Sequence, residues 1–230
     1  IGADPQTEVT VTSGSQEAML IAALGFLNPG DEALILDPYY PASYEDTLLA
    51  EAQPVTVPLY ERKDYKIEME TLEDKITKKT KIIWLCNPSN PTGHVFSKQE
   101  LEIIAETAQR HNLIVFCDEI YEKIVYDGAR HISVGSLPDM EDRTITVNGF
   151  SKAYAMTGWR IGYVAAGKKL SATLRKLHYY ATLCPNAISQ KAALAALTGP
   201  QDCVQEMVTD YTRRRKLMLH ELDRIKSLSY

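Results

Sequence analysis

KIIWLCNPSNPTGHVFSKQELEIIAETAQRHNLIVFC, residues 81–117, decides the fold. Its opening, residues 81–86, is one lysine followed by five apolar residues, which suits a buried strand. Ser97 with Glu100 three positions later is a capping-box signature, and the helix it opens runs to about His111. Residues 113–117 are apolar again and read as a second strand. Strand, helix, strand in this order implies parallel pairing through a crossover helix.

The pattern extends in both directions. Residues 33–36 and 55–57 read as strands, and residues 44–52 and 69–76 as helices. Residues 144–147 form a β-branched run, and residues 159–166 return to the sheet. Beyond Lys168 the sequence is helical, and the segment soon after Pro5 reads as a strand. The expected fold class is therefore α/β: a mostly parallel sheet sandwiched by helices, three layers in αβα order. Such sheets bind ligands beyond the carboxyl ends of their strands.

Composition narrows the function. A net charge of −5 argues against a general nucleic-acid binder, and the longest apolar run, residues 18–27, is about half a membrane span. The basic run at residues 213–216 is expected on the wet face of a helix. Cys86, Cys117, Cys184 and Cys203 are widely spaced, so neither zinc site nor disulfide framework is expected, and the compartment reads as cytoplasmic. Cys86 and Cys117 read as core residues. The five histidines show no ligand spacing, so no metal is expected.

Four segments at strand ends carry chemistry. The first, residues 12–18, opens a helix whose first-turn amides can cradle a phosphate, although taken alone it reads first as an ordinary cap, with Ser15 as the cap. The second, Asn87-Pro88-Ser89-Asn90-Pro91-Thr92-Gly93, turns the chain and offers the Asn90 carboxamide. In the third, Asp118 closes an apolar run, where a carboxylate needs a partner, and Tyr121 follows three residues on. In the fourth, Ser151 and Lys152 follow the run at residues 144–147, with Arg160 eight positions beyond the lysine. A lysine at the end of a buried strand is expected to be desolvated and nucleophilic, able to form a Schiff base. Arg160 is a permanent cation suited to phosphate. Amine and phosphate clamp on one loop suggest a phosphorylated aldehyde, pyridoxal 5'-phosphate. A buried acid would pair with its pyridinium nitrogen.

In this order the segments resemble those of the class I/II aminotransferases, pyridoxal-phosphate enzymes of fold type I. The resemblance covers nearly the whole chain. It implies that Lys152 forms the Schiff base and then shuttles the proton between Cα and C4′. Asp118 would pair with the ring nitrogen, and Asn90 and Tyr121 with the phenolic oxygen. Arg160, Ser151 and the amides of Ser15 and Gln16 would hold the phosphate, while Tyr40 would stack on the ring. The implied reaction moves an amino group between an amino acid and a 2-keto acid, in a cytoplasmic homodimer that needs neither nucleic acid nor membrane.

Two departures accompany the resemblance. Some relatives carry a serine three residues before the lysine, where this chain has Gly149. The family also places a substrate-carboxylate arginine in a C-terminal small domain, and a tyrosine for the neighbouring subunit's site in an N-terminal segment. Residues 1–200 therefore read as the cofactor-binding large domain, and residues 201–230 as a helix leading towards that small domain. Such a portion alone is expected to be poorly active. Two other readings fit the same motifs: a carbon–sulfur lyase or related synthase on the same cofactor, and a non-catalytic cofactor-sensing regulatory domain. Tyr121 disfavours the lyases, in which histidine stands at that point.

Overall fold

The structure, a computed structural model, describes residues 1–228. Residues 229 and 230, the last of the expected terminal segment at 201–230, lie outside the described residues. In chain order the elements are β1 (Val9–Thr12), α1 (Ser15–Phe26), β2 (Glu32–Asp37), α2 (Pro41–Leu49) and β3 (Gln53–Pro58). There follow α3 (Met69–Glu73), β4 (Thr80–Cys86), α4 (Lys98–Arg110), β5 (Ile114–Asp118), β6 (Thr144–Gly149) and β7 (Gly162–Ala166). Three helices close the described chain: α5 (Lys168–Thr182), α6 (Ala187–Thr198) and α7 (Asp202–Leu222).

Seven strands make one sheet in the order β1-β7-β6-β5-β4-β2-β3. From β3 to β6 every pairing is parallel, whereas β7 runs antiparallel to both β6 and β1. The βαβ unit is present: Cys86 of β4 pairs with Asp118 of β5, and α4 lies between the two strands in sequence. Its capping box is complete, since Ser97 Oγ accepts from the Glu100 N–H and Glu100 accepts from the Ser97 N–H.

Alternation along the central strands builds two cores. Ile82 and Trp84 face α1 and α5 with Phe116, Ile145 and Val164. Ile83 and Leu85 face α4 with Leu34, Val115 and Cys117. A smaller cluster seats α6, through Ala193, beneath Phe150, Met156 and Ile161. That cluster supports the turn after β6.

Several boundaries differ from the sequence reading. The helix expected at 44–52 begins at Pro41, because proline's fixed φ and missing N–H suit the first helical position. The helix expected at 69–76 ends at Glu73. The strand expected at 159–166 starts only at Gly162; Thr157–Trp159 is a 3-10 turn and Arg160 is left-handed, with φ 50°.

Gly162 fixes how β7 meets the start of α1. A Cβ built there would stand 3.0 Å from Gly14 C, Ser15 N and Asn148 O. Only a glycine lets these three backbone segments approach so closely. Gly162→Ala is therefore expected to cost about 1–3 kcal/mol in urea unfolding. Gly158→Ala, where a Cβ would meet nothing within 4 Å, should cost well below that.

Candidate active site

All the carboxyl ends of β1, β2, β4, β5 and β6 open on one edge, and the chain re-enters β7 there. A cavity of about 200 Å³ lies at this edge. Ser15, Gln16, Tyr40, Asn90, Asp118, Tyr121, Ser151, Lys152 and Arg160 all line it, with Cys86, Ile120 and Thr157.

One end of the cavity is built for an anion. The cap of α1 is Gly14, with φ 85°, and no side chain satisfies the first-turn amides. The expected cap at Ser15 is thus corrected: Ser15 is already helical, and the Ser13 N–H is bonded instead by Glu17 Oε2 at 2.5 Å. Glu17 is itself held by His178 Nδ1 at 2.6 Å. Orphan amides at a helix start carry partial positive charge. The Arg160 guanidinium sits against them, so close that a Cβ on Gly14 would be 2.5 Å from its Nη2. Arg160 Nη1 also donates to the Thr157 carbonyl at 3.0 Å, and Thr157 Oγ1 donates to the Ser151 carbonyl at 3.1 Å. Left-handed Arg160 is thereby folded back towards α1.

The other end presents a buried carboxylate. Asp118 is 7% exposed, and its Oδ1 accepts one bond, from the Ile120 N–H at 3.0 Å. Burial pushes its pKa up to about 6, against the pull of the Ile120 N–H and of the Lys152 charge. Asn87 secures this strand end. Its N–H donates to the Asp118 carbonyl at 2.9 Å, its Nδ2 donates to the Ile132 carbonyl at 3.1 Å, and its Oδ1 accepts from the Phe96 N–H at 3.2 Å. Asn87 is fully buried, so in this motif it ties three segments together while half-buried Asn90 faces the cavity.

Lys152 enters from the turn after β6, its Nζ 5.5 Å from the centre of the Tyr121 ring. Here the sequence reading is corrected. β6 ends at Gly149, so Lys152 lies three residues past it and is half-buried rather than enclosed at a strand end. Gly149 has a packing reason: a Cβ there would stand 3.1 Å from both Gly162 Cα and Ile120 Cδ1, so a serine would force these neighbours to give by a few tenths of an ångström. Tyr40 is 40% exposed at the start of α2, where its carbonyl accepts from the Ser43 N–H and Oγ.

Cys86, expected in the core, is only half-buried and borders the cavity; Cys117 is fully buried. All four cysteines are free. Thr157 was missed by sequence reasoning; its place between Lys152 and Arg160 was the available signal. A wider cleft, about 970 Å³, opens beside the cavity along Pro88–Val95, Tyr126, Tyr211 and Arg215. The basic run accordingly splits. Arg213 and Arg214 pair with Asp210 on the exposed face of α7, whereas Arg215 reaches Asp127 at 2.6 Å and covers the Tyr126 ring.

Comparison with known proteins points to one family. A family model described as "Aminotransferase class I and II" matches residues 1–230. An aspartate aminotransferase of Pyrococcus abyssi is 42% identical over 225 residues, covering 97% of this chain and 58% of the relative. The crystal structure of an aromatic aminotransferase from Pyrococcus horikoshii superposes with a TM-score of 0.95 at 42% identity, over 98% of this chain and 61% of that one. An N-succinyldiaminopimelate aminotransferase from Mycobacterium tuberculosis gives 0.94 at 35% identity, over 98% and 59%. The chain thus spans just under three-fifths of the P. abyssi relative's length.

The raised pKa of Asp118 makes a stability prediction. A carboxyl whose folded pKa exceeds its ordinary 3.8 favours the folded state below that value and loses this contribution as pH rises through about 6. Without ligand, Asp118→Asn should therefore raise unfolding stability at pH 8, by up to about 3 kcal/mol. The gain should shrink as pH falls from 6 towards 4, as read by urea denaturation.

Proposed function

Because the chain belongs to the class I and II aminotransferase family, we propose that it forms the cofactor-binding part of a pyridoxal-phosphate-dependent aminotransferase. The reaction moves an amino group between an amino acid and a 2-keto acid. The observation that carries this reading is the single cavity, where an uncapped helix start, a guanidinium, a buried carboxylate and an amine converge. Family members depend on pyridoxal phosphate, and the donor set suits that group at both ends. Orphan amides with Arg160 match a phosphate, and a carboxylate with one N–H donor matches a protonated ring nitrogen.

When bound, pyridoxal phosphate supplies an aldehyde that joins to amines and a ring that accepts the electron pair left when a Cα–H bond breaks. The chain's residues do the rest. Ser15, Gln16, Ser151 and Arg160 hold the phosphate. Asp118, as carboxylate, keeps the ring nitrogen protonated. Asn90 and Tyr121 bond the phenolic oxygen, and Tyr40 covers the ring face. Lys152 Nζ would hold the aldehyde and, when free, would move the proton at the substrate Cα. The Lys152 charge pulls the Asp118 pKa down, against the larger upward push of burial.

Relatives named for aspartate, aromatic amino acids and N-succinyldiaminopimelate match over nearly all of this chain. Neither the lyase nor the regulatory reading gains support from these relatives. Residues 1–200 form the cofactor domain in this proposal, and residues 201–230 the helix leading towards a small domain; within α7 Val204 is buried and Arg215 reaches back to Asp127. The proposed whole is a homodimer. The apolar face of α5 and α6, with Tyr180 77% and Ile188 71% exposed, supports that assembly. Free cysteines, two of them exposed, favour a reducing cytoplasm.

Full-length protein with added pyridoxal phosphate should show a visible absorbance band that borohydride bleaches, fixing the cofactor to the chain. Lys152→Ala should abolish both the band and the fixation. A Lys152→Ala protein that still fixes cofactor would sink the assignment of this lysine. Arg160→Ala should weaken cofactor binding by about 10- to 100-fold while leaving borohydride fixation at saturation intact.

A further inference from the structure

Consecutive residues of a strand point to opposite faces, so the end of β5 sends Asp118 into the cavity and Glu119 away from it. Glu119 is 2% exposed, and its Oε1 has no hydrogen-bond partner. His131 Nε2 is also buried without a hydrogen bond. It lies 3.6 Å from Glu119 Oε2, beyond a good hydrogen bond. Glu122, half-buried, completes the group: one ligand atom from each of Glu119, Glu122 and His131 lies within 4.8 Å of the others. Ser133 Oγ and the Cys117 thiol lie beside the Glu119 carboxyl, which is therefore not without polar neighbours on that side.

A buried carboxylate and a ring nitrogen 3.6 Å apart, not hydrogen-bonded to each other, leave a place for a cation between them. Ligands on one tetrahedral ion, with bonds of about 2.1 Å, stand roughly 3.4 Å apart. The Glu119–His131 spacing is of that size. Two carboxylates and an imidazole suit a borderline divalent transition metal, with water in the remaining position. The sequence reading saw no metal ligand because the three residues come from two segments with no recognisable spacing.

We propose that Glu119, Glu122 and His131 bind a divalent transition-metal ion, with Zn²⁺ as the probe. The ion would be structural. It would clip the turn that follows β5, which carries Tyr121, to the segment around His131, and so steady the strand end from the side opposite the cavity.

Full-length, untagged protein stripped with chelator is titrated with Zn²⁺ alone by calorimetry, and its thermal unfolding is followed with and without the ion. One saturable site is expected, weakened at least about tenfold by Glu122→Gln and by His131→Gln. A Zn²⁺-dependent rise in Tm should accompany it and vanish in both variants. Glu122→Gln alters a half-buried side chain isosterically, and its Tm without metal checks that it folds. Uptake unchanged by both substitutions would assign the ion to exposed Cys184 and Cys203 or to other histidines, and would overturn the proposal. Absence of any saturable site would do the same.

Discussion

Parallel strands joined by crossovers must all finish on the same edge, and the rest of this molecule follows from that constraint. β2, β4, β5 and β6 each deliver a loop to one rim, and β1 reaches the same rim because β7 reverses direction twice over. Residues as distant in sequence as Ser15 and Arg160 therefore line one small cavity. The backbone does much of the work. Gly14, Gly149 and Gly162 pack main chain against main chain, and the side chains are aimed from that close-packed frame.

The fold was legible where the signals were local and chemically specific. Five apolar residues before Asn87, and Ser97 spaced three from Glu100, each permit few conformations, and the βαβ unit followed. Most of the nine candidate residues sit in motifs that end or follow readable strands, while Gln16 and Tyr40 entered only through the family resemblance those motifs carry. What stayed hidden depended on tertiary partners. Nothing near Ser15 in sequence reveals that Glu17 bonds back to Ser13 while His178, from α5, holds Glu17 in place. Lys152 is less enclosed than its neighbours suggested, because β6 ends three residues earlier. Glu119 and His131 meet only in space, and so do Arg215 and Asp127.

Burial of charge recurs on both sides of β5. Asp118 and Glu119 are consecutive, both nearly inaccessible, and both driven upward in pKa mainly by burial, to about 6 and about 7. A stable core would not choose two such residues in succession. Their presence at the end of the central strand fits the proposal that the chain gives up stability there to hold something positive.

The sheet order gives the cavity two ends of unequal security. The carboxylate end hangs from β5, a central strand paired on both sides. The anion end grows from β1, a four-residue edge strand paired only with β7. Edge elements open locally at lower free energy than central ones. Amide hydrogen exchange would therefore run fastest through β1 and the first turn of α1. A molecule spanning the cavity would lose its grip at the helix start long before the grip at Asp118 loosened, leaving by rotation about the carboxylate rather than by withdrawal in one piece.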